Sequence, residues 1–236
     1  MFYVYIDGFN LYKGSLEHNP QFKWLDLRKL SQLLTGETDV RQIKYFTARL
    51  KTLFEGDKSN ERQNTYLRVL RASGIDIIYG EFRKRRIWSP IVSPVLNEFT
   101  YPTLSNPLGL TKRTVMRMWE EAHPQVPKSH TYRFQEKGSD VNLASHLLRD
   151  VFSGNTKQVL VISGDSDLFT PLRFVSDAGA DVRIAIPGYQ PNILQKFRKL
   201  FPQAELISKE VLSSSQFENP FKTENNHLIS KPKEWL

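Results

Sequence analysis

The chain has 236 residues, 39% hydrophobic and 25% charged, enough to enclose one large core. Its 33 Lys and Arg against 25 Asp and Glu leave a net charge of +8, which suits phosphate-rich partners. With no cysteine, a disulfide framework, a thiolate zinc site and a cysteine nucleophile are excluded, and with neither a signal-peptide pattern nor a run of roughly 18 apolar residues, a soluble cytoplasmic protein is expected.

In chain order, "FYVYID" (2–7) reads as a first strand and "LDLRKLSQLL" (25–34) as a helix. A strand "RQIKYFTARL" (41–50), a helix at 60–74 and a strand "GIDIIYGEF" (74–82) come next. The rhythm then breaks between 83 and 130, where Pro90, Pro94, Pro102, Pro107, Pro124 and Pro127 leave one good helical pattern, "TKRTVMRMWEEA" (111–122). A stretch like this inside a compact domain is expected to be an insertion that serves as a binding element, a lid or a disordered segment. Beyond it, the helix "SDVNLASHLLRDVFSG" (139–154) leads to the short apolar strands "QVLVIS" (158–163) and "DVRIAI" (181–186), which enclose a helix at 167–180. This alternation predicts a three-layer α/β/α sandwich of Rossmann-like type with a mostly parallel sheet. One domain is expected over 1–208, with a polar, aperiodic tail at 209–236 that docks through Phe217, Phe221 or Trp235.

Four acids fall at the functional edge of such a sheet. Asp7 ends the first strand, Asp140 starts the helix after the insertion, and Asp165 and Asp167 come just after the strand "QVLVIS". Carboxylates converging on one volume need a counter-charge, and hard divalent cations, Mg2+ or Mn2+, are the natural occupants. Two such ions can bind a scissile phosphate, activate a water and stabilise the leaving oxygen. Each acid also has a plain explanation: Asp165, Ser139 or Asp140 can cap a helix, and "DGFN" contains an Asp-Gly turn. Their coincidence at one edge favours the metal pocket.

The blocks "YIDGFNLY" (5–12), "KGSDVNLASHLL" (137–148) and "VISGDSDLFTPLRFVSDAGADVRIA" (161–185) together resemble the NYN-domain family of the PIN-like nuclease superfamily. The resemblance implies a PIN-like fold, a metal-dependent ribonuclease activity, and Asp7, Asp140, Asp165 and Asp167 as metal-binding acids. It further implies that Asn10 orients the pocket or the attacking water, with Ser163 and Lys137 as supports around the acids. The chain departs from the pattern at His146, where many relatives carry an acid, and in the length of the insertion.

The densest basic run is "FRKRRIW" (82–88), which places Arg83, Lys84, Arg85 and Arg86 between aromatics, a composition that binds phosphates and stacks bases. Arg49, Lys51, Lys112 and Arg113 extend the candidate RNA-binding set. The bland alternative is a charged strand end that resists edge pairing. His18, His123, His130, His146 and His227 lack metal-ligand spacing. The expected function is therefore a metal-dependent endoribonuclease acting on single-stranded or structured RNA. Whether DNA is also a partner stays open at this point, because the chemistry itself needs no 2′-hydroxyl. The alternative is a non-cleaving RNA-binding or adaptor protein on the same fold; protein partners and homo-oligomers are compatible with either.

Overall fold

The computed structural model describes residues 1–36, 40–50, 52, 56–90 and 128–235, with the side chains of 82–90 and 128–136 left aside. Two compact units result, Met1–Phe82 with Glu136–Leu236, and Arg83–Gln135. The first unit is built on strands β1 (Phe2–Asp7), β2 (Val40–Thr47), β3 (Asp76–Tyr79), β6 (Gln158–Ile162), β7 (Asp181–Ile186) and β8 (Glu205–Leu206). They form one six-stranded sheet in the order β3-β2-β1-β6-β7-β8, with every neighbouring pair parallel.

Alternation along the strands divides the core in two. Phe2, Val4 and Ile6 of β1 face one side with Leu160 and Ile162 of β6. Tyr3 and Tyr5 face the other with Val159 and Val161. Helices α2 (Leu27–Thr35) and α3 (Ser59–Ala72) cover the first face through Leu27, Leu30, Leu67 and Leu70. The second is covered by α4 (Ser139–Phe152), α5 (Phe169–Asp177) and α6 (Pro191–Arg198), through Leu143, Leu147, Leu172 and Phe197. The result is the expected three-layer Rossmann-like sandwich.

Local chemistry sets the element ends. Asp26 caps α2 by accepting from the amides of Arg28 and Lys29, and the helix stops at Gly36, whose φ of 66° suits a residue without Cβ. The expected strand at 74–82 divides at Gly80 into β3 and β4 (Glu81–Pro90). β4 pairs with β5 (Lys128–Lys137) in a two-stranded sheet that extends through the second unit. The helical pattern at 111–122 and the five prolines from Pro94 to Pro127 lie outside the described residues.

The expectation of an aperiodic tail is corrected. Ser208 caps a short helix, α7 (Lys209–Ser214), a two-stranded sheet joins β9 (Phe221–Lys222) to β10 (Leu228–Ile229), and a 3-10 turn spans Lys233–Trp235. Leu212, Phe217, Ile229 and Trp235 are buried in the first core layer, where the Trp24 ring lies 6.2 Å from those of Phe217 and Trp235. Isolated apolar anchors spaced by polar residues have no period, yet each removes a large surface from water. Among the described residues, no helix is long and apolar enough to cross a membrane.

Candidate functional site

From β1 the chain proceeds outward to β2 and β3, and later returns on the other side of β1 as β6, β7 and β8. The strand order therefore reverses between β1 and β6, and ligands of open α/β sheets bind at the carboxyl ends of such a pair. Asp7 ends β1, and Ser163, Gly164 and Asp165 come directly after β6.

These residues form one hydrogen-bonded chain. Asp7 caps the short helix α1 (Gly8–Leu11), its Oδ1 accepting from the Asn10 amide at 2.9 Å. The Ser163 hydroxyl donates to Asp7 Oδ2 at 3.0 Å and accepts from the Asp165 amide at 3.1 Å. Asn10 Oδ1 accepts the Gly164 amide at 2.9 Å, a second bond between the ends of β1 and β6. Asp165 Oδ1 takes the Asp167 amide at 2.9 Å and so caps the 3-10 turn Ser166–Leu168. Close approach requires the glycine at position 8 and makes a side chain at position 164 a tight fit. A Cβ on Gly8 would stand 2.5 Å from the Tyr45 ring, and one on Gly164 would press at 3.1 Å on Ile186.

Asp140 reaches the same edge from α4. The cap position falls on Gly138, not on Ser139 or Asp140, so Asp140 stands in the first helical turn, where the helix dipole favours an anion. Burial and then the charges of Asp165 and Asp167 push its carboxyl above the ordinary value. Three carboxylates thus share one field at the sheet's mouth. Asp7, at the end of β1, is buried at 4% exposure. In donor chemistry the acids fit a hard divalent ion: anionic, all oxygen, and mutually repelling without a counter-charge. Among the described residues, no group of three His, Asp or Glu is gathered closely enough to form a ready metal cage.

The structure brings Asp7, Asn10 and Ser163 together through direct bonds, and links Asp140 to Asp165 and Asp167 through their charges. Lys137 is exposed just before α4, three positions from Asp140. Arg49 is exposed, its guanidinium 4.8 Å from the Tyr79 ring centre beside the carboxyl end of β3. Arg83, Lys84, Arg85 and Arg86 fall on β4, in the part whose side chains are not described; Lys51, Lys112 and Arg113 lie outside the described residues. His146 edges onto the Phe46 ring at 5.6 Å and meets an Arg149 nitrogen at 3.2 Å. Burial and the charges of Lys44 and Arg149 hold it below the ordinary histidine value, so it adds no cation to the acids.

The sequence reading missed Phe9 and Tyr12. Both are exposed, at 45% and 38%, immediately after Asp7. Large aromatics three apart with Lys13 beside them were the available signal, obscured because they belong to the motif that carries Asp7 and Asn10.

No protein-family model matches the chain. It is 29% identical over 203 residues to 6-hydroxy-3-succinoylpyridine 3-monooxygenase HspA of Pseudomonas putida, a match that covers 78% of this chain and 57% of that protein. The chain therefore spans little more than half of that relative's length. A crystal structure of a protein of unknown function from Vibrio parahaemolyticus aligns with 89% of this chain and 93% of its own, at 12% identity and a TM-score of 0.48.

Proposed function

We propose that the chain is a metal-dependent ribonuclease, an endoribonuclease of NYN type, that hydrolyses RNA phosphodiester bonds at the mouth between β1 and β6 in a cytoplasmic setting. The observation that carries this reading is the hydrogen-bonded link from Asp7 through Ser163 to the Asp165 amide at the strand-order reversal, with Asp140 and Asp167 in the same electrostatic field. Asp7 and Asp165 cap local turns, but gathering like charges at one edge carries an electrostatic cost that cations recruited for a reaction on a phosphate would offset.

Asp140, Asp165 and Asp167 would hold Mg2+ or Mn2+, with Asp7 as the anchored acid at the end of β1. When bound, such an ion supplies a water of lowered pKa and offsets charge developing on phosphorus. The chain's own contribution is position. Ser163 ties Asp7 to the Asp165 backbone, and Asn10 locks the first turn of α1 onto Gly164, so the two strand ends are held in register while the carboxylates of Asp140, Asp165 and Asp167 would draw closer around an ion.

The test is incubation of end-labelled RNA with the protein and its Asp140→Asn variant in magnesium, in manganese and in chelator. Metal-dependent cleavage lost in the variant supports the reading. Equal cleavage by the variant, or cleavage in chelator, sinks it.

The Pseudomonas relative's name, with an aromatic-lined cavity beside Asp7, favours a second reading, oxidation of a small heteroaromatic acid. Turnover of 6-hydroxy-3-succinoylpyridine with a reductant and oxygen, monitored by mass spectrometry, separates the two.

A further inference from the structure

Lined in part by Gly8 and Phe9 of α1 lies a cavity of about 290 Å³, at the lower limit of ligand pockets. Its floor is Tyr45, Tyr66 and Trp235, its near wall Gly8 and Phe9, and its mouth Tyr12 with Lys13, Lys23 and Arg62. The Lys13 ammonium stands 5.9 Å from the Phe9 ring centre and the Lys23 ammonium 5.4 Å from that of Tyr12. Aromatic faces therefore come paired with cations at the opening.

The geometry points to this cavity as the seat for one nucleotide of a single-stranded substrate, its base among Phe9, Tyr12 and Tyr45 and its phosphate at Lys13 and Lys23. The inference rests on the ribonuclease reading and places the strand across α1, from the acids to the cavity. Three observations support it. The cavity adjoins Asp7 in the chain, because Gly8 and Phe9 line it. Phe9 and Tyr12 leave much of their ring surface in solvent, which folding does not explain but base stacking does. The cations at the mouth outnumber the nearby carboxylates: Glu17 pairs with Lys13 and feels Lys23, and Glu234 pairs with Arg62 at 3.2 Å. These surface pairs are exchangeable, so a phosphate can take Lys13 from Glu17. The Tyr45 ring packs directly on Gly8, where a Cβ would stand 2.5 Å from it, so this wall depends on glycine.

The test starts with the full chain in chelator, titrated with AMP, UMP, inorganic phosphate and nicotinic acid by calorimetry. Both nucleotides should bind, phosphate should bind at least tenfold more weakly, and Tyr12→Ala and Lys23→Glu should each weaken nucleotide binding about tenfold. Asp140→Asn should bind AMP as the wild type does. In cleavage assays of a short oligonucleotide, the Tyr12→Ala loss should fall on KM. If RNA is cleaved but Tyr12→Ala changes neither KM nor AMP binding, the cavity assignment is overturned and the nuclease stands. If nucleotides bind through Tyr12 while no RNA is cleaved, the assignment holds and the nuclease reading fails. Binding of nicotinic acid with exclusion of both nucleotides overturns the assignment in favour of a small aromatic acid.

Discussion

The Ser163 hydroxyl donates to Asp7 Oδ2 at 3.0 Å, and both side chains are buried, at 1% and 4% exposure. One small side chain thus joins the ends of the two central strands, and the same oxygen receives the Asp165 amide. Removing it takes one hydrogen-bond partner from Asp7 and one from the Asp165 amide together. Ser163→Ala should cost about 1–3 kcal/mol, the range for buried polar groups that lose a partner. At about 2–4 °C per kcal/mol for a chain of this size, thermal melting resolves the loss. Cleavage should fall more than stability, because Asp165 loses its fixed position. An unchanged melting temperature together with full cleavage would show that the link has no role in solution.

Asp140→Asn should act in opposite directions on activity and stability. The Asp140 carboxyl is raised by burial and by Asp165 and Asp167, so the folded chain holds this proton more tightly than the unfolded one. Its contribution to stability is present below the unfolded value of about 3.8 and is lost as pH rises through the raised one. At pH 7 the wild type therefore carries a penalty that asparagine removes. Without metal, the variant should melt at or above the wild type at pH 7, and the advantage should vanish near pH 3. Cleavage should drop by at least about a hundredfold, more than supporting residues around a metal usually contribute. Added magnesium should raise the wild-type melting temperature by mass action and leave the variant almost unmoved. A variant less stable than the wild type at pH 7 would contradict the shared negative field.

The fold and the acids were legible to different depths. β1 and β7 fall on their expected residues because a strand covered on both faces is a run of apolar residues, which period alone reveals. Asp7, Asp165 and Asp167 were placed by the same means, since the end of a strand locates the residues at its carboxyl edge. The Ser163 bridge was expected only as a support, and its bonds to both acids depend on three-dimensional approach that no spacing encodes. Phe9 and Tyr12 were overlooked because exposure is a property of the packed chain. The C-terminal segment was legible in part, since Phe217 and Trp235 were expected as anchors whereas its short helix and strand pair were not. Phe217, Ile229 and Trp235 are single anchors, each separated from the next by polar residues, and burial of that kind leaves no periodic trace.

Trp235 shows how much that segment contributes. Its ring packs 6.2 Å from Trp24 and 6.1 Å from Tyr66, and it also floors the cavity. Trp235→Ala should cost about 3 kcal/mol, the lower end for removal of a large aromatic from a core. It should also enlarge the cavity, so that AMP binding weakens through loss of its floor. Denaturant titration gives the first quantity and calorimetry the second. A loss under about 1 kcal/mol would mean that the segment lies on the core without stabilising it.

The last prediction concerns a buried ion pair that the proposed chemistry does not use. Lys44 of β2 and Asp150 of α4 pair with side-chain exposures of 5% and 2%, and the Tyr5 hydroxyl donates to Asp150 at 2.8 Å. Burial pushes the Asp150 carboxyl up, but the bonds from Lys44 and Tyr5 outweigh it and hold the group below its ordinary value. Its contribution to stability is therefore present above about 3.8 and is lost as pH falls through the depressed value. Lys44→Met removes the buried cationic partner and leaves the Asp150 carboxylate to the Tyr5 hydroxyl and the exposed Arg149 guanidinium at 3.1 Å, at a cost of about 3 kcal/mol, the lower end for a broken buried pair. The double variant Lys44→Met/Asp150→Leu fills the same space with apolar atoms and should recover part of that loss, since it removes the under-compensated charge but takes the acceptor from the Tyr5 hydroxyl. Denaturant melts of the wild type, both single variants and the double variant form the cycle. A double variant as unstable as Lys44→Met would show that the pair holds α4 through its geometry, with charge compensation secondary.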